Sequence, residues 1–498
     1  MRLGRCSASG TGHRVRRLAR VAAVCVAPLL SGCWLRPDPP DLNLDVPPSY
    51  VTARKGPDAG LPTLDWWRGF GSRELTLLME EAQTANLDIA VAMARIQQAD
   101  AQVKITNAAL LPVLDANFNA QRSRTAGLGG APSRVSSLYN FNLTASYTLD
   151  FWGRNRALLL ADVETAISTR YAKEVIALTT LVSVANAYFN VLDAQDRLRI
   201  ARENLRAASE ILKLIRQRKE AGTASDLEVS QQESLVGQVR AALPPLEIIV
   251  RQNKMALAVL VGRAPEHFVL AGGSTNRIRI PRVAPGLPSD LLDQRPDIRE
   301  AEANLTSAKF SVEAARAAFF PTIQLTGETG FQSLALQSLF GPGAWFYTMA
   351  ASASQPLFHG GQLLGQLDQA EGKQLEMLQA YRKAVLSAFS DVEQALIAVQ
   401  QEALRERYQR EVVRASQTAF NISRQRLEQG TLDMVTLTQT QETLFTAQDN
   451  LAQIRLLRLQ AIVQLYQALG GGWSPPERVE ATSAATAPPA APAVAPQP

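Results

Sequence analysis

The feature that most constrains this chain is that it is written twice. Residues 86–112, NLDIAVAMARIQQADAQVKITNAALLP, resemble residues 295–321, RPDIREAEANLTSAKFSVEAARAAFFP. RQRKEAGT at 216–223 matches RQRLEQGT at 424–431, and LAVLVG at 257–262 matches LYQALG at 465–470. Two halves of about 208 residues each therefore carry one architectural plan, which reads as helix, strand, strand, long helix, turn, helix.

The strands announce themselves by a period of two. Tyr139, Phe141, Leu143, Ala145, Tyr147, Leu149 and Phe151 alternate with Asn140, Asn142, Thr144, Ser146, Thr148 and Asp150, which predicts a strand with one greasy and one wet face. Leu114, Ala116, Phe118 and Ala120 alternate in the same way with Asp115, Asn117, Asn119 and Gln121. The second half repeats this more weakly around Ile323, Leu325 and Phe331, and again from Trp345 through Tyr347, Met349, Ala351 and Ala353. One-sided strands of about ten residues suit a membrane barrel. On the strands alone, a soluble sandwich with its polar faces outward fits about equally.

No glycine or proline interrupts the chain between Gly153 and Gly222, so a helix here can extend to about 100 Å at about 1.5 Å per residue. Val184, Val191, Leu198, Leu205 and Leu212 recur every seven residues, with Ala187, Ala194, Ala201, Ala208 and Ile215 three positions later. A heptad seam of this kind predicts a left-handed coiled pair, with alanine allowing close approach. Gly222 ends the run, and Ser225 and Asp226 are placed to cap the next helix. The second half turns likewise at Gly430, but Glu402, Glu406 and Gln409 blur its heptads.

Before these elements comes a leader. Arg2, Arg5, Arg14, Arg16, Arg17 and Arg20 precede an apolar stretch at 21–30 and then LSGC at 30–33. Basic, apolar and small residues in that order make an export signal, and the apolar stretch is far short of the about 20 residues that span a bilayer. LSGC resembles a bacterial lipobox, which implies a lipidated Cys33 as the mature N-terminus. Trp34 follows it, where an aspartate would resemble an inner-membrane retention signal. The six arginines belong to a chain total of 51 Lys+Arg against 46 Asp+Glu, so the mature balance is 45 against 46. The basic excess is a property of the leader and does not point to nucleic acid. Cys6 and Cys25 leave with it, so no disulfide within the mature chain is possible. Export tips the strands toward a barrel. Four strands cannot close one, since the smallest bacterial barrels have about eight, and an open edge in lipid leaves backbone groups unsatisfied. The barrel must be shared between chains.

GLPSDLLDQRPDIREAEANLTSAKFSVEAARAAFFPTIQLTGETG at 286–330, DWWRGF at 65–70 and LYQALGGGW at 465–473 are similar to the TolC-like outer-membrane efflux family, more narrowly its NodT-type lipoprotein branch. The resemblance implies an α+β membrane protein built as a homotrimer. Three copies of four strands give a shared twelve-stranded β-barrel, continued by a long periplasmic α-helical barrel. It also implies outer-membrane lipid, a periplasmic adaptor protein and an inner-membrane RND-type pump as partners. The expected division is a lipoprotein signal peptide at 1–32, a lipidated N-terminal and equatorial segment at 33–85, a first efflux repeat at 86–271, a linker at 272–294, a second repeat at 295–473 and a disordered Pro/Ala-rich tail at 474–498. The family docks its adaptor at the helix tips, here Gly222, Thr223, Ala224, Ser225, Gly430, Thr431 and Leu432. It narrows at the periplasmic end on the helix after the second tip, where the matching positions hold Thr436 and Gln439, with Val435 and Glu442 nearby. Many members carry aspartates there, and this chain does not.

Catalytic chemistry has little to rest on. His13, His267 and His359 are scattered, one mature cysteine is assigned to lipid, and neither AGGS nor LGGG has the context of a phosphate loop. No enzyme, cofactor or metal is expected. A passive conduit for small molecules is the reading carried forward. An outer-membrane conduit for type I protein secretion, which uses the same architecture, and a coiled-coil adaptor lipoprotein are the alternatives.

Overall fold

The computed structural model describes residues 46–52, 62–126, 132–283 and 286–473. Cys33, the leader and the tail lie outside them. The first half runs α1 (Arg73–Ala85), α2 (Leu87–Ala108), β1 (Val113–Thr125), β2 (Arg134–Leu149), α3 (Arg154–Glu220), α4 (Asp226–Ala241) and α5 (Leu243–Leu260). The second runs α6 (Pro296–Ala317), β3 (Thr322–Ser333), β4 (Trp345–Ser354), α7 (Gln362–Glu428) and α8 (Met434–Ala468). The two long helices α3 and α7 are each 67 residues. The order expected from the repeat is present in both halves.

One departure concerns the helix that returns from the tip. In the second half it is the single helix α8, but in the first it is split into α4 and α5 at Ala242. Pro244 and Pro245 cause the break. A proline has no N–H to donate, so the hydrogen-bond ladder lapses here and the two prolines are accommodated in the first turn of a new helix.

Why α3 starts where it does is visible in its contacts. Asp150, at the end of β2, accepts hydrogen bonds from the amides of Asn155 and Arg156, both at 2.9 Å, and so caps the helix. Trp152 Nε1 donates to the Pro321 carbonyl at 2.8 Å and its ring stacks on Phe320, tying the strand-to-helix junction of one half to that of the other. The heptad expectation holds along α3: Val184, Val191, Leu198, Leu212, Ala187, Ala194, Ala208 and Ile215 are buried, and Leu205 and Ala201 are half-buried. α3 also has a window apolar and long enough to cross a bilayer, but 56% of it is already buried inside the protein.

Equivalent contacts join the halves' ends. Asn86 Nδ2 donates to the Leu260 carbonyl at 2.8 Å, and Arg295 Nη1 donates to the Ala468 carbonyl at 3.1 Å. Beside each bond sits a glycine with positive φ, Gly262 at +72° and Gly470 at +80°. A Cβ on either would lie 2.3 Å from a backbone oxygen, of Ala85 and Gln294 respectively. Only glycine fits such an approach.

Three apolar clusters are spaced along the molecule. Trp66, Trp67 and Phe70 pack with Leu75, Val184, Phe189, Leu192, Leu257, Leu459 and Tyr466 in the first. The second gathers Leu291, Ile298, Val385, Phe389 and Val392, and the third, nearest the tips, gathers Ala208, Ile215, Val229, Phe420, Leu427 and Leu437. Full burial of each large side chain contributes about 1.5–3 kcal/mol.

Candidate conduit surfaces

The four strands form one antiparallel sheet in the order β1-β2-β3-β4, so β2 of one half pairs with β3 of the other. Register puts the apolar residues of all four strands on one face. Phe118 pairs with Phe141, Phe141 with Phe331 and Phe331 with Trp345, an aromatic row across the whole sheet. Leu114, Ala145, Gly327 and Met349 form a parallel row on the same face. Phe151, Trp152 and Phe320 gather at the other end of the strands. The ten residue-to-residue steps from Phe141 to Phe151 would cover about 33 Å in extended chain, or about 25 Å of height at a tilt of about 40°, which matches the apolar band between the aromatic girdles of an outer-membrane barrel.

The opposite face is polar. Asp115, Thr144, Glu328 and Thr348 share a row, and Asn142 Nδ2 donates to Glu328. Phe346, opposite Gly330, is an apolar exception on this face. β2 begins at Arg134, earlier than the alternation suggested, because the less regular stretch at 134–138 continues the ladder with β1. Among the described residues the outer edges of β1 and β4 pair with nothing.

The helices also carry an uncovered apolar surface. Leu364, Leu375, Leu386, Ile397 and Tyr408 are all exposed on α7 and recur every eleven residues. An eleven-residue period keeps one stripe on one side of a nearly straight helix.

At the far end of the long helices, both tips have the same construction. Gly222 and Gly430 take φ +75° and +73° with open space around them. Thr223 and Thr431 donate backbone and hydroxyl hydrogen bonds to the carbonyls of Arg218 and Arg426. Ser225 caps α4 in a reciprocal box with Glu228, and Asp433 caps α8. Ala224 and Leu432 pack against the third apolar cluster, and Arg218 Nη1 reaches the Leu427 carbonyl at 2.9 Å. The fold therefore brings the two tips together.

On α8, Val435, Thr436, Gln439 and Glu442 are exposed while Met434, Leu437, Gln441 and Leu444 are buried. Thr436 is not a free side chain: its hydroxyl donates to Asp433 Oδ2 at 2.7 Å. Asp433 is the acid nearest the tip on this helix. Hydrogen bonds from the Thr436 amide and hydroxyl hold its carboxyl below the usual range. Cys33 lies outside the described residues.

A buried polar belt went unread in the sequence. It lies between the third cluster and the other two. Glu406 of α7, 1% exposed, pairs with Arg455 Nη1 at 2.8 Å and Arg458 Nη1 at 2.6 Å, both from α8, and with Arg410 Nη2 at 2.5 Å. Burial alone would raise its pKa, but the Arg458 hydrogen bond and the charges of Arg455, Arg410 and Arg458 outweigh that and leave it lowered. Arg455 also donates to the Thr275 carbonyl at 2.9 Å, and Asp196 of α3 accepts from the Thr275 amide at 2.8 Å and hydroxyl at 2.7 Å. The segment at 274–278 thus straps α3 to α8. Glu406 does not simply weaken the second coiled seam; it occupies the seam with a satisfied charge. The signal was the pair Arg455 and Arg458, the two charges set in the largely apolar IRLLRLQAIVQLY.

Residues 78–263 and 287–471 match the family profile described as outer membrane efflux protein. The pyoverdine export outer membrane protein OpmQ of Pseudomonas aeruginosa is 37% identical over 453 residues, covering 89% of this chain and 95% of that protein. The toluene efflux pump outer membrane protein TtgC of Pseudomonas putida is 32% identical, with 89% and 94% covered. Among solved structures, the open state of the Neisseria gonorrhoeae MtrE outer membrane channel superposes with a TM-score of 0.78 at 30% identity, over 88% of this chain and 98% of that one.

Proposed function

Because the chain belongs to the outer membrane efflux protein family, we propose that it is the outer-membrane conduit of a tripartite efflux system, a passive homotrimer exporting small molecules. The observation that carries this reading is the sheet, with one continuous apolar face between two sets of aromatics, one polar face and two unpaired edges. An edge in lipid must be paired, and a second and third copy supply β1 and β4 edges of matching polarity. Twelve strands from three copies would close around the polar face. The exposed stripe of α7 would be covered by a neighbouring copy in a helical barrel below it.

Lipidated Cys33 would hold the N-terminus to the outer membrane. The tips Gly222 to Ser225 and Gly430 to Leu432 would meet the periplasmic adaptor, and an inner-membrane pump would do the selecting. Thr436 and Gln439, with Val435 and Glu442 nearby, would face the axis where the periplasmic end narrows. Without an aspartate ring, block by multivalent cations would be weak and would depend on Glu442.

Detergent extraction tests the reading. The expected product is a trimer with a β signal that carries fatty acid in the wild type and none in Cys33→Ser. A water-soluble monomer would overturn the conduit, and fatty acid retained in Cys33→Ser would overturn the anchor.

A further inference from the structure

Asp193 lies on α3 at the upper edge of the polar belt, one turn before Asp196, and the two carboxylates are provided for differently. Both are buried, at 4% and 3% exposed. Asp196 is fully engaged: Oδ2 accepts from Ser274 Oγ at 3.0 Å as well as from Thr275, and Oδ1 accepts from Arg199 at 3.1 Å. Asp193 Oδ1 is buried with no hydrogen-bond partner among the described residues. Its neighbour Arg197 reaches away from it to α8, where Nε and Nη2 hold both oxygens of Asp449 at 2.7 and 3.2 Å. Gln453 donates to the same Asp449 at 2.6 Å.

We propose that Asp193 is a proton-operated release for the Arg197–Asp449 clasp, so that the grip between α3 and α8 in the polar belt follows the pH around the protein. A neutral Asp193 leaves Arg197 wholly to Asp449. Once ionised, Asp193 attracts Arg197 and repels Asp449, and both effects loosen the clasp. The charged groups acting on it are Arg197 and Asp196 from α3 and Asp449 from α8. At this level the strap contributes the neutral hydroxyls of Ser274 and Thr275, both bonded to Asp196.

The place matters as much as the group. The apolar clusters on either side are held by packing, which gives way only by exposing surface. The belt is held by directional bonds that can be exchanged between partners, so a shift of the tips relative to the body can occur here without opening a core. Burial pushes the Asp193 carboxyl up to about 7; Arg197 pulls it down, and Asp449 and Asp196 push it further up. The sign follows from linkage. Between the ordinary aspartate value of about 4 and about 7, the folded protein keeps a proton that the unfolded chain has lost, so local stability falls as pH rises and then levels off. The clasp is tight below this window and loose above it.

The test is amide hydrogen exchange on the full-length protein in lipid nanodiscs between pH 5.5 and 8.5, corrected for the intrinsic dependence of exchange on pH. Peptides covering 190–200 and 447–455 in the wild type should lose protection by about tenfold between pH 5.5 and about 7, the equivalent of one pK unit, and change little above that. In Asp193→Asn, which keeps the neutral state at every pH, they should stay protected throughout. Asp449→Asn, with the clasp removed, should exchange fast at both ends of the range. A flat wild-type profile, or a step that survives in Asp193→Asn, would overturn the proposal.

Discussion

The two halves of the chain reach one topology with different chemistry, and the contrast is sharpest where their long helices meet the helices returning from the tips. Leu198 in the first half and Glu406 in the second occupy equivalent positions by the spacing that relates 216 to 424. The first is an apolar seam residue, 9% exposed; the second is a carboxylate, 1% exposed, held by three arginines. The returning helices differ in the same region, broken by Pro244 and Pro245 in one half and continuous in the other. Arg202–Glu247 and Arg216–Glu233, ion pairs between the broken helix and α3, are exposed. The continuous one spans the belt as a single rod and is pinned there through Arg455 and Arg458.

The largest expected effect tests that pinning. Glu406→Leu strands Arg455 in the interior and should cost about 3–5 kcal/mol in denaturation of the extracted oligomer. Adding Arg455→Met should recover most of the loss, since the position would then resemble its counterpart at Leu198. If the double variant is no better than the single, the two halves are not interchangeable in this way.

Continuity of α8 comes next. Ala452 corresponds to Pro244, and Ala452→Pro should cost about 3 kcal/mol, while Pro245→Ala should change stability by less than about 0.5 kcal/mol. Similar losses at both sites would remove the distinction between the two returning helices.

Gly262 and Gly470 sharpen the comparison from the opposite side, because there the halves agree. Alanine at either position meets a backbone oxygen at 2.3 Å, and each substitution should cost about 2–3 kcal/mol from left-handed strain plus overpacking. A difference above about 1 kcal/mol between them would show that the two junctions carry unequal loads.

The tips should give the smallest change in stability. Gly430→Val strains a left-handed residue by about 1–2 kcal/mol in open space, so the oligomer should still assemble. Cross-linking to the adaptor and dye efflux should both fall. Full efflux with undiminished cross-linking would move the docking site away from the tips.

Much of this was legible in the sequence, for physical reasons. Long helices announce themselves by the absence of glycine and proline, and α3 ends where Gly222 permits it. Strands with one face in lipid and one in water must alternate, so all four could be placed, although the start of β2 could not, because Arg134 to Leu138 have no apolar rhythm. The buried charges were not legible. Glu406 reads only as a blur in the heptads, and the partners that Glu406, Arg455 and Asp193 meet on other segments lie far away in sequence. In the second half the buried seam of α7 does keep sevens, through Leu378, Val385, Val392, Glu406, Phe420 and Leu427, with a charge at one position that blurs the pattern in the sequence. Its exposed face runs in elevens from Leu364 to Tyr408.

The central claim is a trimeric conduit whose polar sheet face lines the pore, and single-channel conductance in a planar bilayer tests it most directly. Asn142→Cys lies on the polar face and Leu143→Cys, one residue on, lies on the apolar face. With a charged, membrane-impermeant thiol reagent, the account predicts that Asn142→Cys channels lose conductance in three equal steps, one per copy, while Leu143→Cys channels are unaffected. Block at Leu143→Cys with none at Asn142→Cys, or a number of steps other than three, would contradict it.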